Sequence, residues 1–204
     1  MKKFIFELFY LTGLARIAWH SEVPSPILNL ALESGWMKPG DRVLEVGCGL
    51  GTNAEWLASR GFDVTATDLS AAAVRRAERR LKAKGLRGKL YQADFLQGLN
   101  EPPFDVVLDR ATLHSFPEGD RRNRFAENMR ALVKPGGSAL LVEMRPDPSQ
   151  PKNMPPFGMD QAALRELYPA PFEVTAVGEE VQPHRVRGQL ILTQWRVHRP
   201  LASS

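Results

Sequence analysis

The segment Val43-Leu44-Glu45-Val46-Gly47-Cys48-Gly49-Leu50-Gly51 sets an acid inside an apolar run and then spaces glycines around a single cysteine. Glycines are needed where a turn is tight or where backbone must approach a ligand closely. The helix expected to follow, Asn53–Arg60, offers its first N–H groups and the positive end of its dipole to a carboxylate or phosphate. A second run, Asp63–Thr67, leads into Asp68. A carboxylate at that tip can accept hydrogen bonds from both hydroxyls of a ribose. Glu45, two residues before the loop, can orient the loop and accept from an ammonium group. Cys48 reads as a small loop residue rather than a nucleophile.

A second group of candidates lies at Asp109-Arg110-Ala111-Thr112-Leu113-His114-Ser115-Phe116. Ligands of parallel sheets sit at the carboxyl ends of the strands, which brings Asp109, Arg110 and His114 near the reacting atoms. His114, with an ordinary pKa of about 6.5, is the candidate general base; the other reading is a histidine that packs the following loop. Asp109 and Arg110 can form a structural ion pair, or Arg110 can bind an anionic substrate group. Trp19, Phe116, Met154 and Phe157 are candidates to wall an apolar acceptor pocket.

The elements that must position these residues alternate short β-rich runs with helical ones, which implies a parallel sheet with helices on both faces. Phe4, Leu8, Leu11 and Ala15 fall at helical spacing, so residues 1–35 read as a helical lid segment ahead of a core over 41–199. A second helix is expected over Ile27–Gly35, then the strand Arg42–Val46. Ser70 is the expected cap of a helix over Ala71–Lys84. Strands follow at Lys89–Ala93 and Phe104–Leu108, then a helix over Asp120–Val133 stopped by Pro135-Gly136-Gly137, then the strand Ser138–Met144. Arg145–Gly158, with Pro146, Pro148, Pro151, Pro155 and Pro156, is a loop long enough to be functional. A short helix over Asp160–Tyr168 is capped by Asp160. Phe172–Val177 and Gln189–His198, joined by Gly178–Gly188 with no helix between them, make an antiparallel hairpin at the sheet edge.

At 204 residues, 43% hydrophobic and 25% charged, the chain fits a single soluble domain able to bury a full core. One cysteine excludes an internal disulfide framework and suits the cytoplasm. Much of the net charge of +4 lies in Arg75, Arg76, Arg79, Arg80, Lys82, Lys84, Arg87 and Lys89. With no aromatic residues interleaved, this run reads as a solvated helix face, and no nucleic-acid partner is expected. Met1-Lys2-Lys3 ahead of Phe4–Leu11 resembles a signal peptide, but Glu7 interrupts the apolar run and no convincing small-residue cleavage site precedes His20. The stretch is too short and charged for stable membrane insertion, and is expected to pack on the domain or touch a membrane surface. The expected partner is a small-molecule substrate, with the chain a monomer or homodimer.

A dinucleotide site uses much the same parts, so a nicotinamide-dependent oxidoreductase is the competing reading. The dinucleotide fingerprint places its third glycine where Thr52 stands, whereas here it falls at Gly51. Glu45 inside the first strand and the closing hairpin also separate the two. A module that binds the cofactor without catalysis is the third reading.

Glu45-Val46-Gly47-Cys48-Gly49-Leu50-Gly51, Asp68, Asp94-Phe95 and Lys134-Pro135-Gly136-Gly137 together resemble class I S-adenosylmethionine-dependent methyltransferases, over nearly the whole stretch from Asp41 to Arg199. The resemblance implies a three-layer α/β Rossmann-like fold: a seven-stranded, mostly parallel sheet in the order 3-2-1-4-5-7-6 with a C-terminal antiparallel hairpin. It implies cofactor contacts from Glu45, Gly47, Cys48, Gly49, Gly51, Leu69 and Asp109, with Asp68 on the ribose. Asp94 would accept from the adenine amine while Phe95 covers a ring face. No metal is implied. Trp19-His20-Ser21-Glu22-Val23-Pro24-Ser25-Pro26 and the Pro156-Phe157-Gly158 loop look like the branch of thiopurine, thiol, halide and tellurite methyltransferases. His20 and Glu22 stand where that branch usually has an acid and a glycine. Methyl transfer is an in-line displacement, so the protein mainly supplies alignment and a desolvated site. A thiolate needs little more, whereas a hydroxyl or amine needs a base, so a small thiol or other soft nucleophile is the preferred acceptor.

Overall fold

The computed structural model describes residues 2–12, 20–149, 155–184 and 188–201. Helix α1 covers Lys2–Thr12 and α2 Pro26–Glu33; strand β1 is Arg42–Val46, α3 Thr52–Ala58 and β2 Asp63–Asp68. Helix α4 follows over Ala71–Ala83, then β3 at Lys89–Gln92, a short 3-10 turn at Phe95–Gln97 and β4 at Phe104–Arg110. A second 3-10 turn at Leu113–Ser115 leads to α5, Asp120–Leu132. The chain continues with β5 Val133–Met144, α6 Gln161–Leu167, β6 Glu173–His184 and β7 Gly188–His198.

The seven strands form one sheet ordered β3-β2-β1-β4-β5-β7-β6. Pairing is parallel from β3 to β5 and antiparallel where β7 meets β5 and β6. Alternation along each strand sorts the core into two layers. Val43, Val106, Val142 and Leu140 pack with Ile27, Leu28, Leu57, Ala77 and Leu81 of α2, α3 and α4. Leu44, Val107, Ala139 and Leu141 pack on the other face with Phe125, Met129 and Leu164 of α5 and α6. Each fully buried side chain of this size contributes roughly 1.5–3 kcal/mol relative to exposure. Two expected caps form: Ser70 Oγ accepts from Ala73 N–H at 3.1 Å, and Asp160 Oδ1 from Ala163 N–H at 2.9 Å.

Three elements depart from expectation. Helix α5 ends at Leu132 and β5 begins at once at Val133, with Lys134-Pro135-Gly136-Gly137 bulging out of the ladder and Gly136 at φ +81°. The ladder shifts register between Phe104 and Val106. A Cβ on Gly137 would lie 2.6 Å from Asp105 O, so only glycine lets the strands approach there. Strands β6 and β7 also pair far beyond Val177, through Val181–Ile191 and Gln182–Leu190. Glycine, paired acids and a proline at Gly178–Pro183 suggested a connection, but β6 is the sheet edge, where charge and proline are tolerated.

Helix α1 forms, yet it turns a different face to the domain. Tyr10 is buried against Leu50, Ala72 and Ala73, whereas Leu8 and Leu11 are 49% and 58% exposed. Glu7 fixes this orientation: its carboxylate accepts from Ser70 Oγ at 2.5 Å and from Ala72 N–H at 3.2 Å, meeting free donors at the start of α4. Among the described residues no helix is long and apolar enough to cross a membrane.

The basic run lies on and just after α4, and part of it is paired. Arg80 reaches Glu55 and Glu22 at 2.6 and 3.1 Å, Lys84 reaches Glu55 at 2.6 Å, and Lys89 reaches Glu101 at 2.5 Å. Such pairs near the surface stabilise by at most about 1 kcal/mol each.

Candidate active site

The glycine loop leaves β1 with Gly47 N–H and Cys48 N–H both donating to Thr67 O, at 2.8 and 2.9 Å. Gly47 has φ +72°, and a Cβ there would sit 2.2 Å from Thr112 Oγ1. Gly51 has φ +79°, and its Cβ would meet Ala77 Cβ of α4 at 2.7 Å. The third glycine therefore answers to helix packing as well as to any ligand, and the first to a side chain arriving from the end of β4. The buried Cys48 thiol is pushed well up by desolvation, which keeps it protonated.

Asp68 ends β2 and turns back onto the loop. Its Oδ2 accepts from Gly49 N–H at 2.9 Å and its Oδ1 from Ser70 N–H at 2.8 Å. Burial pushes this carboxyl up to about 6, with those N–H donors acting the other way. Each oxygen keeps a further lone pair for a ligand hydroxyl. On β1, Glu45 Oε1 accepts from Asn53 Nδ2 at 2.9 Å. Its Oε2 is buried without a hydrogen bond of ordinary geometry, and burial raises Glu45 to about 7. An ammonium group would give that oxygen a full partner. Backbone made close by glycine, an acid at the tip of β2 and an unsatisfied buried carboxylate fit S-adenosylmethionine. Among the described residues no cluster of three or more histidine, cysteine or acidic groups could hold a metal ion.

The adenine-side candidates divide. Asp94 is exposed and caps the 3-10 turn by accepting from Leu96 N–H at 3.1 Å. The Phe95 ring lies in the core, 4.8 Å from the Phe125 ring. Leu69 is half-buried, and its carbonyl accepts from Gln92 Nε2 at 2.9 Å.

At the end of β4 a buried acid pair organises the turn. Asp109 Oδ1 and Oδ2 accept from Thr112 N–H and Leu113 N–H at 3.0 and 2.9 Å. Glu143 of β5 accepts from His114 N–H at 3.0 Å. Burial and the nearby Glu143 raise Asp109 well up, and burial raises Glu143 to about 8, which keeps a proton on the pair. His114 Nδ1 is engaged inside the protein, 3.1 Å from Met144 N and 3.2 Å from Glu143 Oε2. Burial lowers His114 to about 4, leaving the imidazole neutral. Between these groups Ala111 adopts φ +69°, the only described non-glycine residue in that region.

Arg110 does not pair with Asp109. Its guanidinium lies 2.7 Å from Glu180 Oε1 on β6, because successive residues of a strand face opposite sides of the sheet. Phe157 joins the site through its N–H, which donates to His114 O at 2.7 Å. Phe116 instead packs towards the core, 5.7 Å from the Phe125 ring. Trp19 and Met154 lie outside the described residues. Sequence reasoning missed Thr112, Glu143 and Glu180. Glu143 carried a signal, an acid inside the apolar run Ala139–Met144, the same mark that singled out Glu45. A cavity of about 460 Å³ between α5 and α6 is lined by Glu118, Arg122, Glu127, Arg130 and Glu166, none of them part of the cofactor cradle.

Sheet order, glycine cradle and the acid at the tip of β2 define the class: an S-adenosylmethionine-dependent methyltransferase. Residues 14–195 match the thiopurine S-methyltransferase family model, and the chain belongs to that family. It is similar to a thiopurine S-methyltransferase from Vibrio cholerae, 34% identical over 170 residues and covering 75% of each chain. A protein-L-isoaspartate O-methyltransferase from Methylorubrum populi is 37% identical over 128 residues, which covers 61% of this chain and 60% of that protein. The chain thus spans less than two thirds of that second relative. In fold it is similar to magnesium protoporphyrin IX methyltransferase from Synechocystis PCC 6803 with bound S-adenosylhomocysteine, at TM-score 0.71 and 17% identity over 97% of this chain and 100% of that one.

Proposed function

We propose that the chain transfers the methyl group of S-adenosylmethionine to a small-molecule acceptor, a thiol or similar soft nucleophile before a hydroxyl or amine. Bound S-adenosylmethionine supplies an electrophilic sulfonium methyl. Glu45 accepts from its ammonium group, Gly47, Cys48, Gly49 and Gly51 line the methionine part, and Asp68 holds the ribose. Leu69 and Asp94 border the adenine side. Asp109, Arg110, His114 and Phe157 shape the acceptor side, with Trp19 as a candidate wall. Residues 1–35 act as the lid over the core. The partner is a small molecule rather than nucleic acid, in the cytoplasm.

What supports the acceptor preference most is the state of His114. A buried imidazole lowered to about 4, with its Nδ1 engaged by Met144 N and Glu143 Oε2, is a weak base for a phenol or amine proton. Thiols ionise near neutral pH and need no such base. The Vibrio cholerae relative, named for an S-methyl transfer, agrees with this preference. A panel of thiols, phenols and amines, read by S-adenosylhomocysteine release, tests it. We expect the thiols to be fastest and His114→Ala to change thiol rates by less than about tenfold. A phenol or amine turned over fastest, and slowed roughly a hundredfold or more by His114→Ala, would make His114 the base instead.

A second measurement concerns the cradle. Asp68 and Glu45 are raised to about 6 and about 7, so both are largely protonated in mild acid. An ammonium group and ribose hydroxyls favour the ionised carboxylates. Affinity for S-adenosylhomocysteine therefore rises with pH through this window, and titration calorimetry across it reads the slope. A flat profile would remove both acids from the binding site.

A further inference from the structure

Arg110 closes β4 on the sheet face that carries Glu45, and its side chain is 13% exposed. Its Nε donates to Glu180 Oε1 at 3.0 Å, its Nη2 lies 2.7 Å from the same oxygen, and Nη2 also reaches Gln182 Oε1 at 3.4 Å. The other oxygen of Glu180 accepts from Ser25 Oγ at 2.7 Å and from Gln194 Nε2 at 3.3 Å. Ser25 N–H donates to Asn53 Oδ1 at 2.9 Å, and Asn53 Nδ2 to Glu45 Oε1 at 2.9 Å. One buried chain of hydrogen bonds thus runs from the ammonium-side carboxylate to the guanidinium beside the acceptor.

A guanidinium at the end of β4 is the natural seat for a carboxylate on an incoming acceptor, because its fork matches two oxygens. Here that seat is taken by a carboxylate of the protein itself, supplied from the edge strand and locked on both oxygens. We propose that Glu180 determines acceptor charge: by neutralising Arg110 it makes the site select uncharged thiols over carboxylate-bearing ones. This rests on the thiol-acceptor reading above. Removing one partner of a buried pair leaves the other charge unpaired, so Arg110 freed from Glu180 recruits an external anion.

The test compares 4-methylthiophenol with 4-mercaptobenzoate in wild type, Glu180→Gln and Arg110→Gln, read as the ratio of the two kcat/KM values. A ratio is insensitive to the fraction of folded protein. Glu180→Gln should shift it towards 4-mercaptobenzoate by roughly tenfold or more, through KM, and Arg110→Gln should shift it the opposite way. In parallel, benzoate is titrated into each protein saturated with S-adenosylhomocysteine, and should bind Glu180→Gln roughly tenfold tighter than wild type. Equal ratios and equal benzoate affinities in all three proteins would overturn the role of Glu180. If no protein methylates either thiol, the acceptor reading fails, while the benzoate titration still decides for or against Glu180.

Discussion

Asp68→Ala abolishes measurable binding of S-adenosylhomocysteine in titration calorimetry if the acid seats the ribose as proposed. Its two oxygens already receive Gly49 N–H and Ser70 N–H, so the alanine variant loses more than a ligand contact. It also releases a donor inside the glycine loop, at the point where the backbone must hold its shape. Hydrogen bonds to a charged group contribute roughly 1.5–3 kcal/mol each. Losing both ribose bonds therefore lowers affinity by about a hundredfold or more. Asp68→Asn, which keeps an acceptor oxygen, should retain part of the affinity. If the alanine variant binds as wild type does, the ribose lies elsewhere.

Gly47→Ala should be strongly destabilising, because it joins a clash to a left-handed backbone. The new Cβ would fall 2.2 Å from Thr112 Oγ1, on a backbone at φ +72°. Left-handed strain and the clash together cost about 2–4 kcal/mol, and the loop cannot relax without pulling Thr112 off Val46 O. Thermal unfolding should show the loss, and cofactor binding should fail with it. Two comparisons make the cause visible. Gly35→Ala, at φ +69° with nothing within 4 Å, should cost only the backbone strain of about 1–2 kcal/mol. The double variant Gly47→Ala with Thr112→Ala should recover part of the stability, because Oγ1 is the nearest clashing atom. No recovery would mean that backbone strain alone carries the cost.

The sheet was readable in the sequence because its information is local. Strands flanked by glycine and proline, helices with Ser70 and Asp160 as caps, and a closing pair without a helix between them leave few topologies. The errors are local too, and share a cause. Lys134–Gly137 and Gly178–Pro183 carry turn residues, yet both fall inside strands: the first is a bulge bonded to Arg199, the second pairs with β7. The site was readable in its loop and its acids, and unreadable in its braces. Thr112 under Gly47, Glu143 beside Asp109 and Glu180 on Arg110 all come from distant segments, and only the folded sheet places them. Phe95 shows the limit of transferring a pattern. The residue follows Asp94 as expected, but its ring is held in the core by Phe125.

Helix α1 lies beside the glycine loop. Tyr10 sits over the glycine loop, its hydroxyl 3.0 Å from where a Cβ on Gly49 would be, and Glu7 grips Ser70 and Ala72 at the head of α4. A cofactor bound against this loop, as proposed, would lie close to a helix that Glu7 ties to α4 through hydrogen bonds. Polar pins of this kind break and reform without exposing much apolar surface. Whatever passes the loop on that side would do so beside a contact that rests on Glu7, well away from the end of β4.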